Sequence, residues 1–173
     1  MRFYFFLIFC ICLLAATHSV QAQTCKANMS ASTPDSQLTD NVDGTITDSK
    51  TGLMWKKCME GVSGNNCDSG AATSFTWETA LQQPGLVNSV GFAEHSDWRL
   101  PNVKELASLV EEKCYNPSIN LTRFPNSSSS VVWSGSPYAG YSDGAYFVFF
   151  DSGYSGMNGR GGYSEVRLVR GGQ

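Results

Sequence analysis

Six cysteines, two histidines and fifteen carboxylates are the groups in this 173-residue chain that could do chemistry. Cys10 and Cys12 fall in a stretch that reads as a secretory leader. Arg2 supplies a positive start, residues 3–16 are largely apolar, and Val20-Gln21-Ala22 forms a small-x-small cleavage site. Residues 1–22 are therefore expected to be removed, with the mature chain starting near Gln23. The apolar run is shorter than the ~20 residues a bilayer span needs, and no later run is long enough either. An even set of four cysteines in an exported chain reads as disulfides, with three connectivities open. Cys58 and Cys67 flank a Gly/Asn/Ser-rich loop and are expected to pair, which leaves Cys25 for Cys114. Neither pair has the close spacing of a four-thiolate zinc site, so no metal is assigned.

The remaining candidates for turnover are thin. His95 is the one histidine beyond the leader, and Glu94-His95-Ser96 reads as a loop rather than as a base held against a nucleophile. Glu111 and Glu112 are adjacent on a helical stretch and cannot face each other, so they read as a solvated helix end. No glycine-rich phosphate loop follows a strand. No catalytic residue and no cofactor is assigned. The aspartates between Asp40 and Asp48 miss the EF-hand pattern, because Thr39 stands at the first ligand position and Lys50 where a bidentate glutamate belongs. Asp43-Gly44 signals a tight turn instead. Without Arg2, eleven basic residues face fifteen acidic ones, a net charge of −4. No basic cluster exists, which argues against nucleic acid as a partner.

The elements that must position these groups centre on Asp97-Trp98-Arg99-Leu100-Pro101-Asn102. Trp98 and Leu100 alternate with Asp97 and Arg99 as in a strand. Pro101 ends it, and Asn102 with Glu105 forms a capping box for a helix carrying the stripe Val103, Leu106, Leu109 and Val110. Arg99 is expected to lock this corner, by pairing with Asp97, with Glu105 or with backbone carbonyls. Thr76 caps an earlier helix with Trp77, Ala80 and Leu81 on one face, expected to stop at Pro84-Gly85. Residues 23–39 read as an extended polar tail held mainly by Cys25. Residues 53–55, 131–134 and 166–170 read as strands, and residues 146–150 as one buried on both faces. Trp55, Trp98 and Trp133 are assigned to the core with Arg99 and Glu105. Two helices among short, mostly antiparallel strands make a single α+β domain.

Several motifs occur in a fixed order: Asp43-Gly44-Thr45, Thr51-Gly52-Leu53-Met54-Trp55, Asp97-Trp98-Arg99-Leu100-Pro101-Asn102 with Glu105-Leu106, Phe124-Pro125-Asn126, Trp133-Ser134 and Val166-Arg167-Leu168-Val169-Arg170. Together they resemble the bacterial Lcl C-terminal domain family over residues 40–173. The Arg99–Glu105 portion is also similar to the C-type-lectin-like and formylglycine-generating superfold. The resemblance implies a compact lectin-like α+β domain, usually exported and sometimes part of adhesins. The namesake adhesin's trimerisation and sulfated-glycan binding do not carry over, because this chain lacks a collagen-like region and a basic surface. The redox cysteines of formylglycine-generating relatives are missing as well, since no cysteine follows Cys114.

A binding role rests on the last third of the chain, whose loops consist almost wholly of Gly, Ser, Tyr, Asp and Asn. Tyrosine supplies a stiff contact surface and the small polar residues adapt their hydrogen bonds. Tyr138, Tyr141, Asp143, Tyr154, Asn158, Arg160 and Tyr163 are the candidate ligand-binding residues. The sequence reading is thus a non-catalytic module in the periplasm or at the cell surface that recognises a glycan or protein. A structural, oligomerising module using residues 146–150 and the neighbouring strands at a subunit contact is the alternative, and an enzyme the third reading.

Overall fold

The computed structural model describes residues 22–171, so the leader assigned to residues 1–22 lies outside the described residues except for Ala22. In chain order the first strands are β1 (Thr24–Cys25), β2 (Leu38–Asp40), β3 (Thr45–Asp48), β4 (Met54–Lys56), β5 (Val62–Ser63) and β6 (Ser69–Gly70). Helices α1 (Trp77–Val90) and α2 (Val103–Ala107) follow, then β7 (Cys114–Tyr115), β8 (Val131–Pro137), β9 (Gly144–Phe149), β10 (Tyr154–Gly159) and β11 (Val169–Arg170). Two sheets dominate, one in the order β11-β4-β3-β2 and one in the order β10-β9-β8, and every pairing within them is antiparallel. β1 pairs with β7 and β5 with β6 as separate ribbons.

The hairpin between β2 and β3 is built by aspartates acting on their own backbone. Asp43 Oδ1 accepts from the Thr45 amide at 2.9 Å and its hydroxyl at 2.6 Å, while Asp40 Oδ1 accepts from the Val42 amide at 3.0 Å. Such Asx turns are what short acidic side chains do in tight connections. Val42 is held at φ 64° and is 90% exposed, an unusual posture for a β-branched residue that no packing rewards.

The apolar run of residues 146–150 is explained by what lies on each side of β9. Val148 and its partner Val132 point into one cluster with Trp55, Leu106, Phe124 and Phe150. Ala145 and Trp133 point into a second cluster with Trp98, Leu100, Val166 and Leu168, and Phe147, the cross-strand partner of Trp133, packs against it. Trp55, Trp98 and Trp133 are all fully buried. The residues just before β11 run between the sheets. The Glu165 amide donates to Val131 O, and the Lys56 and Glu60 amides donate to Leu168 O and Val166 O.

α2 forms for the expected reason and ends sooner than expected. Asn102 accepts from the Glu105 amide at 2.9 Å while Glu105 accepts from the Asn102 amide at 2.8 Å, so both halves of the capping box are present. The helix closes at Ala107; Leu109 still buries its side chain, but Val110 leaves the helix and bridges to Ile119. Arg99 grips Glu105 with two hydrogen bonds of 2.8 Å and donates to Gly171 O, whereas Asp97 pairs with Arg170 at 2.7 Å. Burial alone would raise the Glu105 pKa, but Arg99 and the Asn102 amide hold it below its ordinary value. Arg99 lies across from Val169 in an isolated bridge, so the expected strand around Trp98 is one residue of pairing.

α1 overrides its proline. Thr76 caps it, and the helix passes through Pro84 to end at Gly91, whose amide donates to Val87 O at φ 76°. An interior proline costs ~3 kcal/mol because it lacks the amide and crowds the preceding turn. Tertiary contacts offset that cost: Asn88 donates to Trp98 O and accepts from the Trp98 amide, both at 2.8 Å. Val87 packs on the cluster that holds Trp98. Of the expected apolar face, Ala80 is buried, Trp77 is half-buried and Leu81 is exposed.

The amino-terminal tail is fastened by more than its cysteine. Cys25 is bonded to Cys114 and Cys58 to Cys67. In the chain-entropy model the 89-residue separation of the first bridge is worth ~4–5 kcal/mol. Two disulfides fit an oxidising, exported environment. Glu111, expected in solvent, is 3% exposed and serves as the tail's anchor. Its carboxylate accepts from the Ser32 and Thr33 amides at 3.0 Å each and from both hydroxyls. Periodicity placed it beside Glu112 on an outer face; the chain leaving the helix after Ala107 turns it inward instead. Burial works to raise the Glu111 pKa, and the amides of Thr33, Ser32 and Lys113 more than reverse that, so it titrates below its ordinary value.

Glu111→Gln should lower stability by ~2–3 kcal/mol, because an amide group must face donors that a carboxylate satisfies. A carboxyl whose folded pKa lies below the unfolded one stabilises above the unfolded value and ceases to do so as pH falls through the folded one. Urea titrations should thus show wild-type stability declining as pH drops below about 4.5 and the Gln variant declining less steeply. Val42→Asn should raise stability by ~1 kcal/mol, since asparagine tolerates the left-handed region. A melting temperature higher by ~2–4 °C is the expected readout.

Candidate binding cleft

The seven candidate residues divide into two groups. β8 and β9 are joined by a turn that carries Tyr138, Tyr141 and Asp143, and the segment after β10 carries Arg160 and Tyr163. These two connections meet, because the Arg160 amide donates to Asp143 O at 2.8 Å. Tyr141 and Tyr163 are 51% and 73% exposed on either side. Tyr138 is half-buried and sets its ring edge-on against Tyr146, centroids 5.2 Å apart. Asn158 turns back to accept from the Gly159 amide, an exposed local contact at 2.9 Å. Tyr154 stands at the far end of β10, 62% exposed, with Phe147 beside it at 6.2 Å. Five strand steps separate it from Gly159, ~17 Å of chain. It belongs to a different surface.

Where the two connections meet, they face the first turn of α1 across a cleft of about 400 Å³. Asp143, Arg160 and Gly161 line one side, and Thr76, Trp77, Glu78 and Leu81 the other. Trp77 joins the sides. Its backbone amide donates to Arg160 O at 2.9 Å, and its indole Nε1–H donates to Ser134 O at 2.8 Å. The ring is thereby fixed, and the Arg160 guanidinium lies over it, 4.3 Å from the centroid. A cation over an indole face gains ~0.5–1 kcal/mol at an exposed site.

Arg160 uses one donor nitrogen only: Nε donates to Gly144 O at 3.2 Å. Its two Nη groups have no partner among the described residues, and neither Asp143 nor Glu78 forms an ion pair with it. The result is a planar fork of free donors beside two carboxylates, a combination suited to groups that both accept and donate hydrogen bonds. Sequence reasoning does not place Thr76, Glu78 or Leu81 at a site, and for Trp77 it favours a core role over a sugar-stacking one; spacing alone does not show that the helix start at Thr76 falls opposite the late loops.

His95 takes no part in the cleft lining. Its amide and carbonyl close a turn with Phe92, and its ring stands edge-on to Trp98 at 6.5 Å.

The fold and the cleft together define a strand-rich α+β domain, stapled twice by disulfides, with a polar, partly aromatic recess at one end of its sheet. Its family can be stated as well: the chain belongs to the Lcl C-terminal domain family, whose model matches residues 44–170. The matched span contains both sides of the cleft and excludes the tail with Cys25. No curated protein matches the chain.

Proposed function

We propose that the protein is an exported, non-catalytic binding module that takes a glycan or protein ligand at the cell surface in the Trp77–Arg160 cleft. The observation that carries the reading is Arg160 itself. Its guanidinium is oriented by Trp77 and by Gly144 O, yet both Nη groups are left without a partner among the described residues. A pre-oriented arginine fork loses little freedom on forming paired hydrogen bonds, which is why such groups serve recognition. Tyr141 and Tyr163 flank the recess as contact surface. The disulfides and the leader-like residues 1–22 support export, and no helix among the described residues is long and apolar enough to cross a membrane.

A second reading, an oligomerising module, is favoured by a different observation. β9 lies between β8 and β10, so of the residues 146–150 and the neighbouring strands expected at a subunit contact, the neighbours supply the strand edges. β10 is one edge of that sheet, and its sequence Tyr-Ser-Gly-Met-Asn-Gly lacks the charges and prolines that usually guard one.

The two readings separate in one experiment on the chain from Gln23 onward. Glycan and cell-surface protein arrays are probed with wild type, Arg160→Ala and Ser155→Lys, while light scattering follows mass. The cleft reading expects Arg160→Ala to lose tenfold or more of the array signal with an unchanged melting temperature and mass. Capture that survives Arg160→Ala but disappears, together with a dimer, in Ser155→Lys would give the oligomer reading precedence.

A further inference from the structure

A second cavity, of about 530 Å³, shares no residue with the Arg160 cleft. That volume is within the ~300–1,000 Å³ typical of ligand pockets. One wall is the β5–β6 ribbon closed by the Cys58–Cys67 bridge, and the other is the segment 125–128. The Asn126 side-chain amide donates to Asn66 O at 2.9 Å and holds the walls in register.

Glu165 lines this cavity and is only 8% exposed. Its Oε2 accepts from the Ser128 hydroxyl at 2.5 Å. Its Oε1 has no donor among the described residues, and Glu165 forms no ion pair there. Arg167, two residues on, directs its Nη groups to the Lys56 and Lys57 carbonyls and the Ser127 hydroxyl and lies over the Phe124 ring, while its Nε–H is buried without a partner among the described residues. A carboxylate buried to this degree is ordinarily matched by a cation or a full set of donors, because desolvation of the charge is otherwise uncompensated. Here Oε1, on the cavity side, has no hydrogen-bond donor among the described residues, and the Arg167 charge acts on the carboxylate only through space.

The surroundings specify what would match it. No lysine or arginine lines the cavity, and Asp68 adds a second carboxylate on the exposed β5–β6 side. Met59, Val62, Ala72 and Pro125 form aliphatic wall. An apolar sleeve with a carboxylate inside complements an alkyl stem ending in a cation, since the stem buries apolar area while the tip neutralises the charge. An anionic group would meet two like charges.

We propose that this cavity is a binding site for an alkylammonium or alkylguanidinium group, with the cationic tip on Glu165 Oε1 and the stem along Met59 and Val62. The group is either a lysine or arginine side chain of a polypeptide or a free alkylamine; the chemistry is shared.

Ligand-observed NMR and calorimetry on the chain from Gln23 onward test the site with three probes: n-butylammonium, Nα-acetyl-lysine-N-methylamide and the neutral norleucine analogue of the latter. Both cations should bind and the norleucine amide should not. Glu165→Gln should weaken both cations at least tenfold. Ala71→Trp, which fills the cavity from its exposed side without touching the carboxylate, should abolish binding while leaving Arg160-dependent capture on the arrays intact. A lysine amide tenfold tighter than n-butylammonium identifies a polypeptide side chain as the source, and equal affinities identify a free amine. The proposal is overturned if wild type binds neither cation, if the norleucine amide binds as well as the lysine amide, or if Ala71→Trp binds the cations undiminished.

Discussion

Arg167 carries its charge into a place with no exposed surface and no ion-pair partner among the described residues, and two separated parts of the chain are arranged to receive it. The Lys56 and Lys57 carbonyls at the end of β4 accept from Nη1, Ser127 accepts from Nη2 at 2.8 Å, and the Phe124 ring lies under the guanidinium at 4.8 Å. Burial pulls its pKa down to about 10, against the opposing pull of Glu165 and Glu60, so it remains a cation at neutral pH. A buried ion of this kind adds little net stability but penalises any arrangement that leaves it unsatisfied, by ~3–5 kcal/mol. The strand β4, the loop before β8 and the closing segment must therefore sit in one relation to each other. The same segment hydrogen-bonds β8 through Glu165, β4 through Leu168 and the turn after β4 through Val166, which makes it the joint between the two sheets.

That joint clarifies which parts of the fold were legible in the sequence. Local grammar was readable wherever the deciding contacts are a few residues apart. The Asn102/Glu105 capping box, the Thr76 cap, the Asp43-Gly44 turn and the Cys58–Cys67 bridge all close over short spans. The double-sided burial of residues 146–150 was readable because a strand covered on both faces loses its alternation. What escaped depends on partners far along the chain. Pro84 reads as a stop until Asn88 is seen bonded to Trp98, and Glu111 reads as solvated until Ser32 and Thr33 are folded onto it. Asp97-Trp98-Arg99 looks like the organising strand, yet it contributes one bridge, while the residues around Arg167 hold the sheets together.

The tail shows how a segment with little apolar content becomes part of the domain. Residues 23–37 cannot bury enough hydrophobic surface to offset their ordering entropy alone. The Cys25–Cys114 bridge removes much of that entropy from the unfolded chain, and Glu111 then converts two amides and two hydroxyls into charge-assisted hydrogen bonds. The family match begins at Gly44, so this fastening joins a stretch outside the matched span to a cysteine and a glutamate inside it.

The candidate site was legible as composition but not as geometry, for a related reason. Tyrosine, glycine and asparagine mark a contact surface wherever they gather, yet spacing along a chain does not say which loops converge. The strand β10 holds Tyr154 and Arg160 at its opposite ends, so residues close in sequence are separated by the full length of an extended element. Asp143 and Arg160, seventeen positions apart, are brought together because β9 and β10 form a hairpin whose open end pairs Gly144 with Gly159. The helix that completes the cleft arrives from outside the loops altogether, through one amide and one indole nitrogen of Trp77. Recognition surfaces of this sort inherit their precision from the rigid elements that end beside them, and here those elements are a capped helix and a hairpin packed on Trp133. The fork of Arg160 is thus oriented by the frame itself, and it is on this orientation that the proposed binding role rests.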